Sequence, residues 1–389
     1  MIAAVILSVA QPVEADLWYI EPQAILRGFY DDNVRLQPRN AESSFGAIVR
    51  GRVELGRRTE VSDIGLSAEV NSRHYSEVSE LDRTDGSLNV AWGYQLERHR
   101  LGLNAAFDYD STLTSEEQTT GLVQVNKRRS RFLVRPSWGY ALSERTDLEA
   151  GFSYEDVSYE DVDVIPLFDY TFARAGLLAG HDLSERLQLL GRFSYDNFEA
   201  AQVKTESTAY GIEAGARYRW SETLALSFLA GLRSADSQTP SLEGVLVDSD
   251  TTGPLFELNL KKDFLVGGLE FTAERSLLPS SRGTLLDTTG LTLAFDYPVT
   301  PLWTFALNAR AYRNRNPGDE VSGNDRDYLQ IAPRLQRRLS NALRLDLGYR
   351  YRWQDREETA QDAATSNAVF LTLRYVFPRE PLGRWSLLR

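Results

Sequence analysis

The sequence predicts an all-β fold: a closed, antiparallel, up-and-down transmembrane β-barrel of about 18 strands, with short periplasmic turns and long extracellular loops. Three observations carry that expectation. Stretches of ten residues or more alternate apolar and polar side chains, the links between them are by turns short and long, and aromatic residues gather at the stretch ends.

Successive side chains of a strand point to opposite faces, so period two marks a wall that is apolar on one side and polar on the other. The pattern is clearest near the end of the chain, where Leu343, Leu345, Leu347, Tyr349, Tyr351 and Trp353 alternate with Arg344, Asp346, Gly348, Arg350, Arg352 and Gln354. It begins with a poorly alternating first strand near 18–30 and sharpens in the second, where Phe45, Ala47, Val49, Val53 and Leu55 interleave with Arg50, Arg52 and Glu54. Further copies run through 88–96, 101–109, 132–142, 187–195, 210–220, 224–232, 291–297 and 303–311, while the eighth strand, near 168–178, again alternates poorly. Pro136 and Pro333 fall inside good strands and each removes a ladder donor, which calls for a bulge or local widening.

Short polar links lie at 57–63, 97–100, 143–146, 182–186, 221–223, 262–267, 298–302 and 340–342. Longer segments rich in Asp, Glu, Ser and Thr lie at 31–42, 74–85, 110–120, 155–166, 196–207, 234–252, 277–285, 313–327 and 354–366. That alternation describes about nine hairpins with both termini on the short-turn side.

A soluble sandwich would use strands of about 5–6 residues. The longer stretches here suit a tilted strand crossing hydrocarbon. Rings that would mark the two interfaces are Trp92, Tyr94, Trp138, Tyr140, Tyr218, Trp220, Trp303, Tyr349, Tyr351 and Trp353. The barrel is therefore expected over residues 16–377, bathed in outer-membrane lipid and located in the bacterial outer membrane.

By length and hydropathy alone, 389 residues would be read as a soluble chain of two or three domains. The longest apolar stretch, Ile2 to Ala10 with Ser8 inside it, is far short of the roughly 20 residues a membrane helix needs. A net charge of −12 argues against a nucleic-acid partner, and the lack of cysteine suits passage through an oxidising compartment. Residues 1–15 combine a short apolar core with small residues at Val13 and Ala15, as at the end of a secretory signal peptide. No basic segment precedes that core, so the expected start lies upstream of Met1.

With the apolar face outward, the lumen is expected to carry Arg50, Arg52, Arg131, Arg135, Arg192, Arg217, Arg219, Arg310, Arg334, Arg344, Arg350, Arg352 and Arg374. Facing them are Glu54, Glu213, Glu257 and Asp346, together with Glu69, Asp108, Glu149, Glu270, Glu274 and Asp296. These read first as solvated, mutually paired wall charges, and second as an arginine ladder guiding an anionic solute. Tyr312, Tyr328 and Phe370 are inward rings beside Arg310, Arg334 and Arg374. The segment 234–252, with Leu242, Val245, Leu246 and Val247, has enough apolar anchors to fold inward as a constriction.

A barrel hydrolase would pair Ser with His and an acid or amide. His99 and His181 fall in short turns and His74 beside a loop, and none follows a recognisable serine motif. Each is read as a solvated turn or interfacial residue, and no catalytic residue, cofactor or metal is expected. The acidic run Val247-Asp248-Ser249-Asp250 lacks the spaced ligands of a Ca²⁺ loop and reads as a solvated loop.

The last strand ends in the series Val369, Leu371, Leu373, Tyr375 and Phe377, and Gly28-Phe29-Tyr30-Asp31-Asp32-Asn33-Val34 closes the first. Leu371, Leu373, Tyr375 and Phe377 look like the signal by which such barrels are handed to the barrel-assembly machinery. Residues 378–389 run on past that aromatic end as a periplasmic tail. On these two segments and the strand count, the chain resembles the loosely defined proteobacterial outer-membrane β-barrels grouped with porins and exopolysaccharide export. That resemblance implies a conduit for a hydrated solute or polymer, chiefly in exopolysaccharide export and with a periplasmic polysaccharide-export protein as partner. The alternatives are a general diffusion porin, or a plugged structural or adhesive barrel acting through its loops. Asn33, after two aspartates, is equally what a tight turn would select.

Overall fold

A sheet edge in lipid would leave backbone groups unpaired, so the alternating pattern demands closure. The computed structural model describes residues 18–116, 126–162, 167–240, 246–316, 325–356 and 363–381. The first nine strands are β1 (Trp18–Asp31), β2 (Ser44–Arg58), β3 (Ser62–Tyr75), β4 (Arg83–Gln95), β5 (His99–Ser111), β6 (Arg128–Ser143), β7 (Thr146–Tyr159), β8 (Tyr170–Asp182) and β9 (Leu187–Ala200). They are followed by β10 (Thr205–Ser221), β11 (Leu224–Pro240), β12 (Leu246–Asp263), β13 (Gly268–Pro279), β14 (Leu285–Pro298), β15 (Trp303–Arg315), β16 (Arg326–Arg338), β17 (Leu343–Arg356) and β18 (Ala364–Val376). Each pairs antiparallel with its sequence neighbours, and β1 pairs with β18 from Gln23↔Val376 to Asp31↔Ala368. The result is a closed 18-stranded barrel with β1 as the closing strand.

Its outer surface is apolar because alternation and closure leave those side chains nowhere to pack. Leu26, Val49, Val70, Phe132, Leu177 and Ile212 are all exposed on this face. Rings bound the band. At the short-turn end Trp92 stacks with Tyr94 and Trp138 with Tyr140, while Tyr218 meets Trp220 edge-on. At the other end Tyr30 meets Phe45 and Tyr195 meets Tyr210. Tyr210 and Tyr218 stand on one strand, about 26 Å apart along it and about 20 Å along the barrel axis at a tilt near 40°. That spacing fits the hydrocarbon layer of an outer membrane, and this is an outer-membrane barrel.

Four details depart from the sequence pattern. Opposite Pro136 the β6–β7 ladder skips from Val134↔Tyr154 to Ser137↔Gly151, and opposite Pro333 the β16–β17 ladder skips from Ile331↔Tyr351 to Arg334↔Gly348. Both keep register, so each proline costs two rungs on one side and no bulge. The segments 196–207 and 234–252 are mostly strand: β9 and β10 meet through a short 3-10 turn at Ala201–Val203, and β11 and β12 pair out to Pro240↔Leu246. Asp248 and Asp250 therefore lie on a strand, opposite Gln238 and Asp236. The tail begins as wall, since Phe377 donates its N–H to Pro22 and β19 (Glu380–Pro381) pairs with Tyr19 and Ile20. Residues 1–15 and the end of the tail lie outside the described residues.

Among the described residues no helix is long and apolar enough to cross a membrane.

Candidate functional site: the arginine-lined lumen

The outer half of the lumen is filled by segments that turn inward, and two apolar clusters show how they are held. In the first, Leu277 and Leu285 of the β13–β14 hairpin pack against Val157, Tyr159, Tyr170, Phe172 and Phe198 of β7–β9. The hairpin reaches them because β13 leaves β12 after Phe256↔Arg275 while β12 continues outward with β11. On its way in, Asp287 receives Arg275 at 2.8 Å and Arg233 at 2.6 Å. At its tip Ser281 accepts the Phe168 N–H at 2.7 Å. Its side chain donates to Glu116, only 2 % exposed, which also accepts the Tyr159 hydroxyl at 2.9 Å. Glu116 follows α1 (Thr112–Ser115), a single turn capped by the Ser111 hydroxyl. One buried carboxylate thus ties the β5–β6 segment, β7 and the hairpin tip together.

The turn needs Gly283, whose φ is +73° and whose missing Cβ would lie 2.6 Å from Val203. Gly283→Val is expected to unseat the tip at a cost of about 1–3 kcal/mol. Single-channel recordings should then show flickering between two conductance levels, with the barrel itself still resistant to unfolding in detergent.

In the second cluster Leu36, Val78, Leu81 and Leu113 pack on Tyr312, Tyr328 and Ala364. Leu36 is fully buried at φ +50°, and its carbonyl accepts from Gln354 at 2.7 Å. Asn33 proves structural: its side chain donates to the Gln37 and Thr365 carbonyls and accepts the Gln37 N–H. Above β3, hydrogen bonds from Ser44 and Ser76 hold the Glu77 carboxyl below the usual carboxylate range.

Between this cluster and the wall lies a cleft of about 90 Å³, partly open to solvent, lined by Arg27, Phe29, Asp31, Val34, Ile48, Arg73, Tyr75, Leu81, Arg83, Leu113, Thr114, Arg350, Arg352 and Phe370. Five arginines converge here, and Asp31 is the one carboxylate among the described lining residues. Arg350 and Arg352 reach Asp31 at 2.9 and 3.0 Å. Arg27 and Arg350 both lie 5.3 Å from the centre of the Phe370 ring, and Arg73 lies 6.0 Å from that of Phe29. Arg83 makes a longer pair with Asp85, 3.6 Å. The cleft combines fixed positive charge with ring faces, a surface suited to a small anion with an apolar part.

The structure places the sequence-expected lumen residues on the inward face, in separate groups. Arg131 bridges Asp108 and Glu155, and Arg192 bridges Glu213 and Glu257. Arg50 pairs with Glu69 at 3.2 Å, Arg52 with Glu54 at 3.7 Å, and Arg374 with Asp346 at 3.8 Å. Arg135 donates to Ser153 and Arg217 to Gln188. Arg344 stands directly opposite Arg338 and Arg374, while Arg310 faces Gln330 and Arg334 faces Gly348. Arg219 is exposed near the short-turn end of β10. Only Arg350 and Arg352 belong to the cleft. Tyr312 and Tyr328 stack at 4.7 Å under Arg326.

Sequence reasoning missed Arg27, Arg73 and Arg83. Arg27 sits in the poorly alternating first strand, where Ile25 and Phe29 are apolar yet point inward; the signal available was the Arg-x-Tyr step at Arg73 and Tyr75. Of the constriction expected at 234–252, Leu242 and Val245 lie outside the described residues. Among the described residues the β13–β14 tip folds inward.

The interface rings face outward: Tyr349 is exposed and donates to Asn367, Tyr351 and Trp353 follow on the same face of β17, and Trp303 carries Arg337 on its ring. On β18 and the residue that follows it, Leu371, Leu373, Tyr375 and Phe377 are exposed in one outward row.

No family model matches the chain, and no curated protein matches it in sequence. Among solved structures it is similar to OpdK of Pseudomonas aeruginosa, crystallised with vanillate, at 12 % identity and TM-score 0.43 over 92 % of this chain and 98 % of that one. OccK2 (OpdF) of the same organism, in complex with glucuronate, gives 12 % identity and TM-score 0.46 over 94 % and 100 %. OccAB2 of Acinetobacter baumannii gives 12 % and 0.44 over 92 % and 98 %.

Proposed function

We propose that the chain is a diffusion channel of the outer membrane that prefers small organic anions, with the arginine cleft as its selective station. The observation that carries this reading is the convergence of Arg27, Arg73, Arg83, Arg350 and Arg352 on a cleft with one carboxylate, Asp31, among its described lining residues, in a chain whose net charge is −12. Positive charge held against the overall sign is a costly arrangement unless something anionic uses it. Guanidinium groups pair with a carboxylate in bidentate fashion, and the low-dielectric walls around them focus the field. Phe29, Tyr75 and Phe370 give the apolar part of such a solute a surface.

This favours the general diffusion reading over polymer export. Segments tied across the outer lumen by Glu116 narrow it, which suits single small solutes better than a polysaccharide chain. Current block in planar bilayers tests the assignment. Benzoate should interrupt the single-channel current in a concentration-dependent way while uncharged benzyl alcohol does not, and equal block by both would contradict a charge-reading cleft.

A further inference from the structure

On the opposite side of the wall from the cleft, at the outer rim of β3, three polar side chains form one line of hydrogen bonds facing lipid. Alternation puts Ser72 and His74 on the outward face with Val70, which is exposed, while Arg73 and Tyr75 between and beside them face the lumen. Ser72 Oγ lies 3.0 Å from His74 Nε2, and His74 Nδ1 lies 3.1 Å from Asp82 Oδ2. The other oxygen of Asp82 accepts the Tyr75 N–H at 2.7 Å, which fixes the carboxylate. With Nδ1–H donating to Asp82, Nε2 is left to accept the Ser72 hydroxyl proton. That is the order of contacts a nucleophilic serine, its base and an orienting acid require.

Two further features suit this geometry to a lipid ester. Thr84 Oγ1 stands 2.9 Å from Ser72 Oγ, on the neighbouring strand, where its hydroxyl can donate to an oxygen developing charge. Just below Ser72, Val70 is paired with Gly51 on one side and Gly86 on the other, and both glycines have open space where a Cβ would stand. Val70 therefore stands between two open places in the apolar wall just below the serine. The serine itself lies close below the Tyr30–Phe45 rim, the height of ester linkages in the outer leaflet.

We infer that Ser72, His74 and Asp82 form a serine hydrolase site for carboxylic esters of outer-leaflet lipids, separate from the channel. Ser72 Oγ attacks the ester carbonyl carbon as its proton passes to His74 Nε2. The carbonyl oxygen takes the electron pair and then returns it, the bond to the alcohol oxygen breaks, and His74 gives its proton to the departing alkoxide. Water, deprotonated by His74, attacks the acyl-Ser72 ester; a fatty acid leaves, and Ser72 regains its proton. Asp82 touches no substrate and acts as the positioning residue for the imidazole.

The test uses the purified full barrel in vesicles. A fluorophosphonate probe should label Ser72, located by peptide mass spectrometry, and fatty acid should appear from phosphatidylethanolamine vesicles or from vesicles of purified lipopolysaccharide, the two arms separating the sources of the ester. Ser72→Ala and His74→Ala should each lower release by about 10³-fold or more with channel conductance unchanged, which shows the barrel intact. Asp82→Asn should slow labelling while leaving Ser72 as the labelled residue. Absence of labelling and of release from both vesicles, or release that survives Ser72→Ala, overturns the assignment and leaves a rim hydrogen-bond network.

Discussion

Replacing Arg27, Arg73 and Arg350 together by glutamine is expected to turn the channel from anion-preferring to cation-preferring. The three guanidinium groups line one cleft, and Asp31 is the one carboxylate among its described lining residues. A unit charge about 7 Å from a passing ion contributes about 0.6 kcal/mol even at the dielectric of water, or roughly a threefold change in local ion concentration. Three such changes act in opposite senses on anions and cations, so the permeability ratio should move by at least an order of magnitude. Glutamine keeps most of the packing and some of the donors, and Arg352 remains on Asp31 at 3.0 Å, so the wall should hold. The reversal potential under a potassium chloride gradient reads the change directly. Because the cleft is partly open to solvent, the effect should shrink as salt rises toward 1 M.

Glu116→Ala should have the second large effect, on conductance rather than selectivity. Glu116 is buried, and it accepts from Tyr159 at 2.9 Å and from Ser281 at 2.8 Å. Its removal strands two hydroxyls in an apolar cluster, at about 1–3 kcal/mol each. The barrel wall has no stake in these bonds, since every strand keeps its two neighbours. The inward segments do, because Glu116 joins β7 to the hairpin tip across the lumen. Single-channel conductance is expected to rise, with protease cleavage appearing near the hairpin tip. Unchanged conductance would mean that Leu277 and Leu285 alone seat the tip.

The wall was legible in the sequence where the bilayer dictates it. Between the aromatic rows one face must be apolar and the other wet, so β17 could be read residue by residue, and parity put Arg50, Arg192 and Arg352 on the inward side. Above the outer row that constraint ends. Ser234, Asp236 and Gln238 point outward into water while Ala235 on the inner face is buried in the hairpin cluster, so the outward face is polar, the apolar alternation disappears, and a strand reads as a loop. The same limit hid the inward hairpin, whose Leu277 and Leu285 pack on β7–β9 at long range. The cleft escaped for a related reason: its arginines come from β1, β3, β4 and β17, and β1 hides its pattern by turning Ile25 and Phe29 inward. His74 was read as an interfacial residue from its place by a loop. Its contacts with Ser72 two residues back and Asp82 eight residues on depend on how the strand end meets the following turn.

The most direct measurement of the central claim is the zero-current potential of the unmodified channel between 1 M and 0.1 M potassium chloride. An arginine cleft that governs passage predicts a potential of the sign set by chloride, moving toward zero when a small carboxylate occupies the cleft. A potential of the opposite sign, as expected if the chain's net charge of −12 governed passage, would contradict it.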